Sequence, residues 1–275
     1  MGDWRQFRTE GFDLALTIKS GQFFRYYEER GGFITVTQRK TIELRQKGNA
    51  LFYRGADEEF VRRFLGLVPE HEHAMARLKL DPVIAPIIAR YRGLRLMRLD
   101  LHESIIGFIC SSMSNIPKIR MNLHRLSASS GDSVGGHHHL PAPGKKLDHA
   151  MVLAARTGYR AKFIVEANRM LTRNMLSEIR SADYPRSHEL LCALPGVGPK
   201  VADCVCLFAL GHGEAFPVDV HVLRAMRVLF PRSRLTTEKR AKAFAQARWG
   251  KDAGLAQQFI FHWARNNLVK RKVLS

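Results

Sequence analysis

The stretch LPGVGPKVADCVCLFAL, residues 194–210, places two glycines two apart in a turn and follows them at once with a proline, Lys200 and an apolar helical pattern. Gly196 and Gly198 tolerate positive φ and allow another backbone to approach closely. The amides of such a turn, beside a helix N-terminus, point outward and suit a phosphate oxygen. The pattern reads as a helix–hairpin–helix over about 186–210, with an ordinary αα-turn as the plainer alternative.

Lys200 stands where the helix dipole is already positive, an awkward place for an ammonium. A solvated loop lysine is one reading. A nucleophile is the other: an attacking amine must be neutral, and burial and a positive helix end both disfavour its charged form. The stretch AFPVDVHVLRAM, residues 215–226, bears on the choice. Its Asp219 is placed to cap a helix, and most such aspartates do nothing more. It lies nineteen residues beyond Lys200, about one helix plus one loop, so the two side chains can face each other as an amine beside a carboxylate.

The 275 residues suffice for one large domain or two modest ones. No apolar run approaches the roughly 20 residues of a membrane helix. The opening MGDWRQFRTEGFD lacks the apolar segment of a secretory signal, so an intracellular protein without a membrane partner is expected. Lys and Arg total 44 against 25 Asp and Glu, a net +19 with a pI near 10.3. These cations are spread along the chain, which fits a folded basic face meeting a polyanion, nucleic acid first. Cys110, Cys192, Cys204 and Cys206 contain no Cys-x-x-Cys pair, which argues against a four-thiolate zinc or iron–sulfur site. His137, His138 and His139 fall in a Gly/Pro/Ser-rich loop without partner ligands. No metal and no cofactor are expected.

Between Phe33 and Tyr53, FITVT, TIELRQ and ALFYRG alternate apolar and polar residues, which predicts antiparallel strands with one buried face. SGQFFRYY, residues 20–27, joins a turn to an aromatic strand. Helical patterns follow, with Asp57, Asp100 and Asn115 as cap candidates. Residues 129–146 read as a loop, and further helices as 147–156, 160–174, 186–193, 200–210, 219–229, 237–249 and 253–268. The expected fold is α+β: a small N-terminal antiparallel sheet domain with flanking helices over 1–92, then a mostly helical pair of domains over 93–275 that carries the hairpin.

At this point the sequence resembles the helix–hairpin–helix DNA glycosylases with a Gly/Pro-rich loop and an aspartate, and within them the eukaryotic-type 8-oxoguanine DNA glycosylase/AP lyases. The residues that carry the likeness are SGQFFR (20–25), FICSSMSNIPKI (108–119), GYRAKF (158–163), the stretch 194–210, PVDVH (217–221) and WGKDAGLAQQFIF (249–261), in the family's order. The resemblance implies that Lys200 attacks C1′ of a damaged nucleoside, expels the base and forms a Schiff base, while Asp219 stabilises charge on the sugar. It implies that Gly21 accepts the N7–H of 8-oxoguanine, that Cys204 and Phe261 sandwich the flipped base, and that Gln257 reads its Watson–Crick edge. Gly196, Gly198, Val201 and His221 would meet the phosphate backbone, Tyr159 would wedge into the duplex, and Arg160 and Lys118 would face the orphaned cytosine. The implied partner is double-stranded DNA with 8-oxoguanine opposite cytosine, bound by a monomer.

Two positions depart from the family. Met113 stands where asparagine is expected, and Lys118 where arginine is usual. Without the resemblance, Cys204 and Phe261 read equally as core, Gly21 as a turn, and Tyr159–Arg160 as a solvated helix start. A monofunctional alkyl-base glycosylase, using Asp219 and water, competes on the same scaffold, but it has no use for Lys200. A DNA-binding protein without enzymatic activity would need neither Lys200 nor Asp219.

Overall fold

The computed structural model describes residues 3–134 and 136–268; Met1, Gly2, Gly135 and 269–275 lie outside the described residues. Strand β1 (Arg5–Arg8) and helix α1 (Leu14–Lys19) precede β2 (Tyr26–Glu29), β3 (Gly32–Thr37), β4 (Lys40–Lys47) and β5 (Ala50–Arg54). These strands form one antiparallel sheet in the order β1-β5-β4-β3-β2. The three strands predicted from alternation are present as β3, β4 and β5. β1 was not legible, since RQFR is a charged edge strand whose single buried residue is Phe7. The expectation of one buried face fails for β3, which is buried from Phe33 to Thr37. Chain from beyond residue 130 folds back beside the adjoining β2: the Arg25 guanidinium donates to the His138 carbonyl, and Tyr27 packs on the His137 ring.

Helices follow: α2 (Glu58–Phe64), α3 (Pro69–Leu78), α4 (Ala85–Arg90), α5 (Leu101–Ser111) and α6 (Ile116–Ser130). Asp57, Asp100 and Asn115 each accept the backbone N–H three residues on, at 2.8, 2.9 and 3.0 Å. The loop region then carries only the two-residue strands β6 (Ser133–Val134) and β7 (His137–His138). Next come α7 (His149–Val152), α8 (Arg160–Met170), α9 (Arg173–Ser181), α10 (Tyr184–Cys192), α11 (Pro199–Val205), α12 (Val220–Leu229), α13 (Glu238–Trp249) and α14 (Ala253–Asn267). α7 and α11 each run on into a wider turn, Leu153–Thr157 and Cys206–Leu210. The sequence reading missed α9, whose buried face is only Leu176 and Ile179.

The apolar core falls into two clusters. One joins the sheet to α5, α6 and the helices through α11. The other gathers α3 and α4 with α12, α13 and α14. Polar ties brace the first cluster: the Leu99 N–H donates to the Phe208 carbonyl at 2.8 Å, and Gln22 bridges the Arg95 carbonyl and the Met97 N–H, both at 2.8 Å. Within the second cluster, Arg77 holds Asp252 through two bonds, at 2.7 and 2.8 Å.

Glu103 on α5 secures the β3–β4 turn, accepting from Thr37 Oγ1 at 2.7 Å and the Gln38 N–H at 3.0 Å. Gln38 and Arg39 both sit at positive φ there, 48° and 56°, as a two-residue turn of this hand demands. Burial and the neighbouring Asp100 push the Glu103 carboxyl up to about 7, against the opposing effects of Arg25, Thr37 and Gln38. The folded protein therefore holds this proton to higher pH than the unfolded chain does. The associated stability is present below the ordinary carboxyl value of 4.5 and is lost as pH rises through about 7. Glu103→Gln, which has no such proton to lose, should gain stability relative to the native protein between about pH 5 and about pH 8, read from urea midpoints at both values. An unchanged difference would mean that Glu103 does not titrate in this window.

Candidate active site at the seam of the two cores

A cavity of about 380 Å³ opens where the clusters meet. Phe24, Phe108, Cys204 and Phe208 wall it on one side, and Pro217, Asp219, Gln257 and Phe261 on the other. Lys200 reaches it from the hairpin.

The turn Ala193–Gly198 joins α10 to α11 as the sequence suggests. Gly196 has φ +79°, and a Cβ there would stand 2.7 Å from Phe163 Cβ, so α8 packs directly against bare backbone. Gly198 behaves differently. It takes φ −90° as the N-cap of α11, and the space where its Cβ would project is open. Pro199 fills the first helical position, which needs no N–H. Lys200 follows, half-buried, with its Nζ 6.0 Å from the centroid of the Phe108 ring. Phe108 is fixed by stacking on Phe208 at 5.6 Å and by the edge of Phe24 at 5.4 Å.

Asp219 caps α12. One carboxylate oxygen accepts the His221 and Val222 amides, at 2.9 and 2.7 Å. The carboxylate lines the same cavity as Lys200, so capping and facing the amine are compatible. Burial pushes the Cys204 thiol up to about 11, and the adjacent Lys200, which bonds to it, works in the opposite sense.

Gly21, at φ +97°, admits no side chain: a Cβ would lie 2.8 Å from both Arg265 Nη1 and Ile116 Cδ1 and 3.1 Å from Phe261 Cε1. Arg265 donates from Nη1 to the Ser20 carbonyl at 3.0 Å, and its guanidinium sits 5.5 Å from the Phe261 ring. Gln257 Nε2 donates to the Pro217 carbonyl at 3.0 Å, while its Oε1 is buried without a partner among the described residues. His221 also lines the cavity.

Outside the cavity, Met113 holds φ 47° and is 92% exposed, Lys118 is exposed, and Tyr159 is 53% exposed. Arg160 is buried, and its guanidinium donates to the carbonyls of Ser112, Met113 and Thr157. The Val201 side chain is buried, which leaves its backbone for any contact outside. His137 and His138 are half-buried and His139 is buried; among the described residues no group of three or more His, Cys, Asp or Glu is placed to hold a metal ion. The sequence reading missed Phe24, Phe108, Phe208, Gln258 and Arg265 as cavity residues. All but Arg265 lie inside the quoted motifs, so position within a motif was the available signal.

A five-stranded sheet stands beside a helical body, and a glycine-turn hairpin delivers a lysine to an aspartate-lined cavity, an arrangement expected of the helix–hairpin–helix DNA glycosylases. A model of the N-terminal domain of 8-oxoguanine DNA glycosylase matches residues 6–105, and one of the helix–hairpin–helix motif matches 181–208. N-glycosylase/DNA lyase OGG1 of Arabidopsis thaliana is 34% identical over 202 residues, 66% of this chain and 55% of its own length. The N-glycosylase/DNA lyase of Saccharomyces cerevisiae is 28% identical over 251 residues, 77% of this chain and 66% of its own. The chain thus spans between about half and two thirds of these curated relatives. The Clostridium acetobutylicum 8-oxoguanine glycosylase/lyase, solved with double-stranded DNA containing cytosine opposite 8-oxoguanine, superposes with a TM-score of 0.88 at 26% identity, covering 97% of this chain and 99% of that one. The chain is thus similar to the 8-oxoguanine DNA glycosylases in both matched models, in sequence and in fold.

Gly196→Ala forces both a left-handed alanine and a clash with Phe163, and should cost about 1–3 kcal/mol of folding stability by chemical denaturation. Phe163→Gly, which removes that Cβ, should cost less on the Gly196→Ala background than on the native one; a fully additive double variant would show that the close approach is not the cause.

Proposed function

We propose that this protein excises 8-oxoguanine from duplex DNA and then cleaves the strand, as a bifunctional glycosylase and AP lyase. The observation that carries the proposal is a lysine and an aspartate facing one cavity that is roomy enough for a purine, beside a hairpin built for phosphates. Chemistry at C1′ needs the nucleotide out of the stack, hence a pocket to receive it. The neutral amine of Lys200 attacks C1′, the bond from C1′ to N9 breaks, and the departing base carries the electron pair and takes a proton. Asp219 stabilises the positive charge that builds on the sugar while its capping bonds hold it still. The sugar ring opens to an imine on Lys200. Loss of a C2′ proton then expels the 3′ phosphate by β-elimination.

In this scheme Cys204 and Phe261 flank the flipped base, Gln257 meets its Watson–Crick edge with the unpartnered Oε1, and the Gly21 carbonyl takes the N7–H that separates 8-oxoguanine from guanine. The amides of Gly196, Gly198 and Val201, with His221, grip phosphates, and Tyr159 fills the space beside the lesion. Lys118 and Arg160 meet the opposite cytosine. The +19 charge supports a duplex partner, and the protein works as a monomer on intracellular DNA. No helix among the described residues is long and apolar enough to cross a membrane.

Incubation with an 8-oxoguanine:cytosine duplex and borohydride should leave a covalent cross-link, and Lys200→Gln should abolish it while duplex binding persists, because phosphate contacts lie elsewhere. A cross-link that survives the substitution sinks the assignment. Asp219→Asn keeps a good cap but loses the charge, so single-turnover excision should fall roughly a hundredfold with little change in stability. An unchanged rate would reduce Asp219 to a structural cap.

Discrimination for cytosine opposite the lesion should be weak. Met113 excludes water but offers a base edge no amide, and Lys118 donates as a mobile point charge in place of a planar fork. Each missing polar contact is worth about 1–3 kcal/mol of discrimination. Single-turnover excision opposite C, T, G and A should show a flatter profile in the native protein than in Met113→Asn; equal profiles contradict the expectation.

A further inference from the structure

Three residues beyond Lys200, on the same helix, Asp203 is 3% exposed. A carboxylate this deeply placed needs partners. The Tyr184 hydroxyl donates to Oδ1 at 2.6 Å, and Lys242 Nζ from α13 donates to both oxygens at 2.8 Å. His188 Nε2 stands 3.5 Å from Oδ1 and is charged only when protonated. The tyrosine brings no positive charge: burial and the Asp203 hydrogen bond raise it well above its usual range. Lys242 alone, among the described residues, gives Asp203 a permanent counter-charge within ion-pair distance.

This arrangement lies a helical turn from the amine the proposed chemistry requires. Side chains three apart on a helix are neighbours, about 5–6 Å between Cβ atoms. An uncompensated buried carboxylate at that range favours ammonium over amine, since an opposite charge nearby stabilises the charged form. The field of Asp203 already acts on its surroundings, raising the thiols of Cys192, Cys204 and Cys206 behind the larger effect of burial.

We propose that Lys242 is a positioning residue for Lys200, cancelling the charge of Asp203 so that the hairpin lysine reacts as a neutral amine. The inference rests on the reading of Lys200 as the nucleophile. The other groups around the pair are accounted for. On the Asp203 side stand Tyr184, His188 and Cys192 from α10, Cys206 from the turn after α11, and Glu214 from the following loop, which acts on Tyr184 and Cys206. On the Lys200 side stand Cys204, Asp219, His221 and Arg265 around the cavity. Lys242 is charged, touches Asp203 and does not line the cavity, so its removal changes the charge beside Lys200 and leaves the substrate's walls intact.

The test uses the full chain and DNA carrying a natural abasic site, so that only the amine's own reaction is read. Lys200 attacks the C1′ aldehyde, water leaves, and borohydride delivers hydride to the imine. The cross-linking rate is followed against pH in the native protein, Lys242→Met, Lys242→Arg and the double variant Lys242→Met with Asp203→Asn. In Lys242→Met the acidic limb should move up by about one pH unit, with the high-pH plateau within about twofold of native. Lys242→Arg and the double variant should both restore the native limb. A merely structural lysine would lower the plateau and leave the limb in place, and that result overturns the inference. A native protein whose cross-linking is indifferent to Lys200→Gln overturns the nucleophile reading itself, and this proposal with it.

Discussion

The contact between the Ser20–Gly21 turn and α14 is the constraint on which the rest of the molecule depends. Two apolar clusters have to be pressed together without closing the space between them. Arg265 reaches from α14 to the Ser20 carbonyl, and burial lowers its guanidinium from the ordinary value, a cost met by that bond and by the Phe261 face. The glycine next to Ser20 then has to carry positive φ and no side chain, because Arg265, Ile116 and Phe261 already occupy the ground. One residue thus serves packing and vacancy together. With the walls fixed this way, the cavity is held by both cores and belongs to neither.

Carboxylates divide the remaining labour by their partners. Asp57, Asp100 and Asp219 all cap helices through backbone amides, which suits an anion at a positive helix end. Only Asp219 also faces the cavity. Asp203 accepts from side chains instead, tying α10, α11 and α13 together at the back of the hairpin. Removing one partner of such a buried pair generally costs more than the pair contributes, since the charge left behind has nowhere to go. The hairpin is therefore held from two sides: by bare backbone at Gly196 against α8, and by charge at Asp203 against α13.

Local chemistry explains what was legible in the sequence. The caps at Asp57, Asp100, Asn115 and Asp219 act within three residues of themselves, so their positions could be read directly. The strands from Gly32 to Arg54 follow a period-2 pattern joined by tight turns, and were likewise visible. What escaped reading depends on distant chain. Phe108 and Phe208 look like ordinary core in apolar helices, and only their stacking, a hundred residues apart, makes them a wall beneath Lys200. Lys242 lies in a helix with little apolar patterning, EKRAKAFAQARW, and nothing local marks it as the partner of Asp203. β3 alternates locally as a one-sided strand would, and its burial on both faces comes from packing that the local pattern does not show.

The groups around the exposed rim obey a different economy from those in the cavity. Arg160 has three backbone carbonyls as acceptors, and it thereby holds Met113 in a left-handed conformation with its side chain almost fully in solvent. A non-glycine residue kept there stores roughly 1 kcal/mol of strain, which persists only where the surroundings dictate it. For the proposed function this has a consequence. Arg160 can meet an opposite base only by releasing some of those carbonyls, each bond worth about 1 kcal/mol or somewhat more for a charged donor. Recognition by Arg160 and the posture of Met113 are then coupled, because the same guanidinium cannot fully serve both. The groups in the cavity face no such competition: Asp219 keeps its capping bonds while it lines the cavity with Lys200, and Gln257 keeps Pro217 on one amide atom while the other has no partner among the described residues. On the proposed function, the fold fixes the parts assigned to chemistry and leaves those assigned to the opposite strand to choose between protein and DNA.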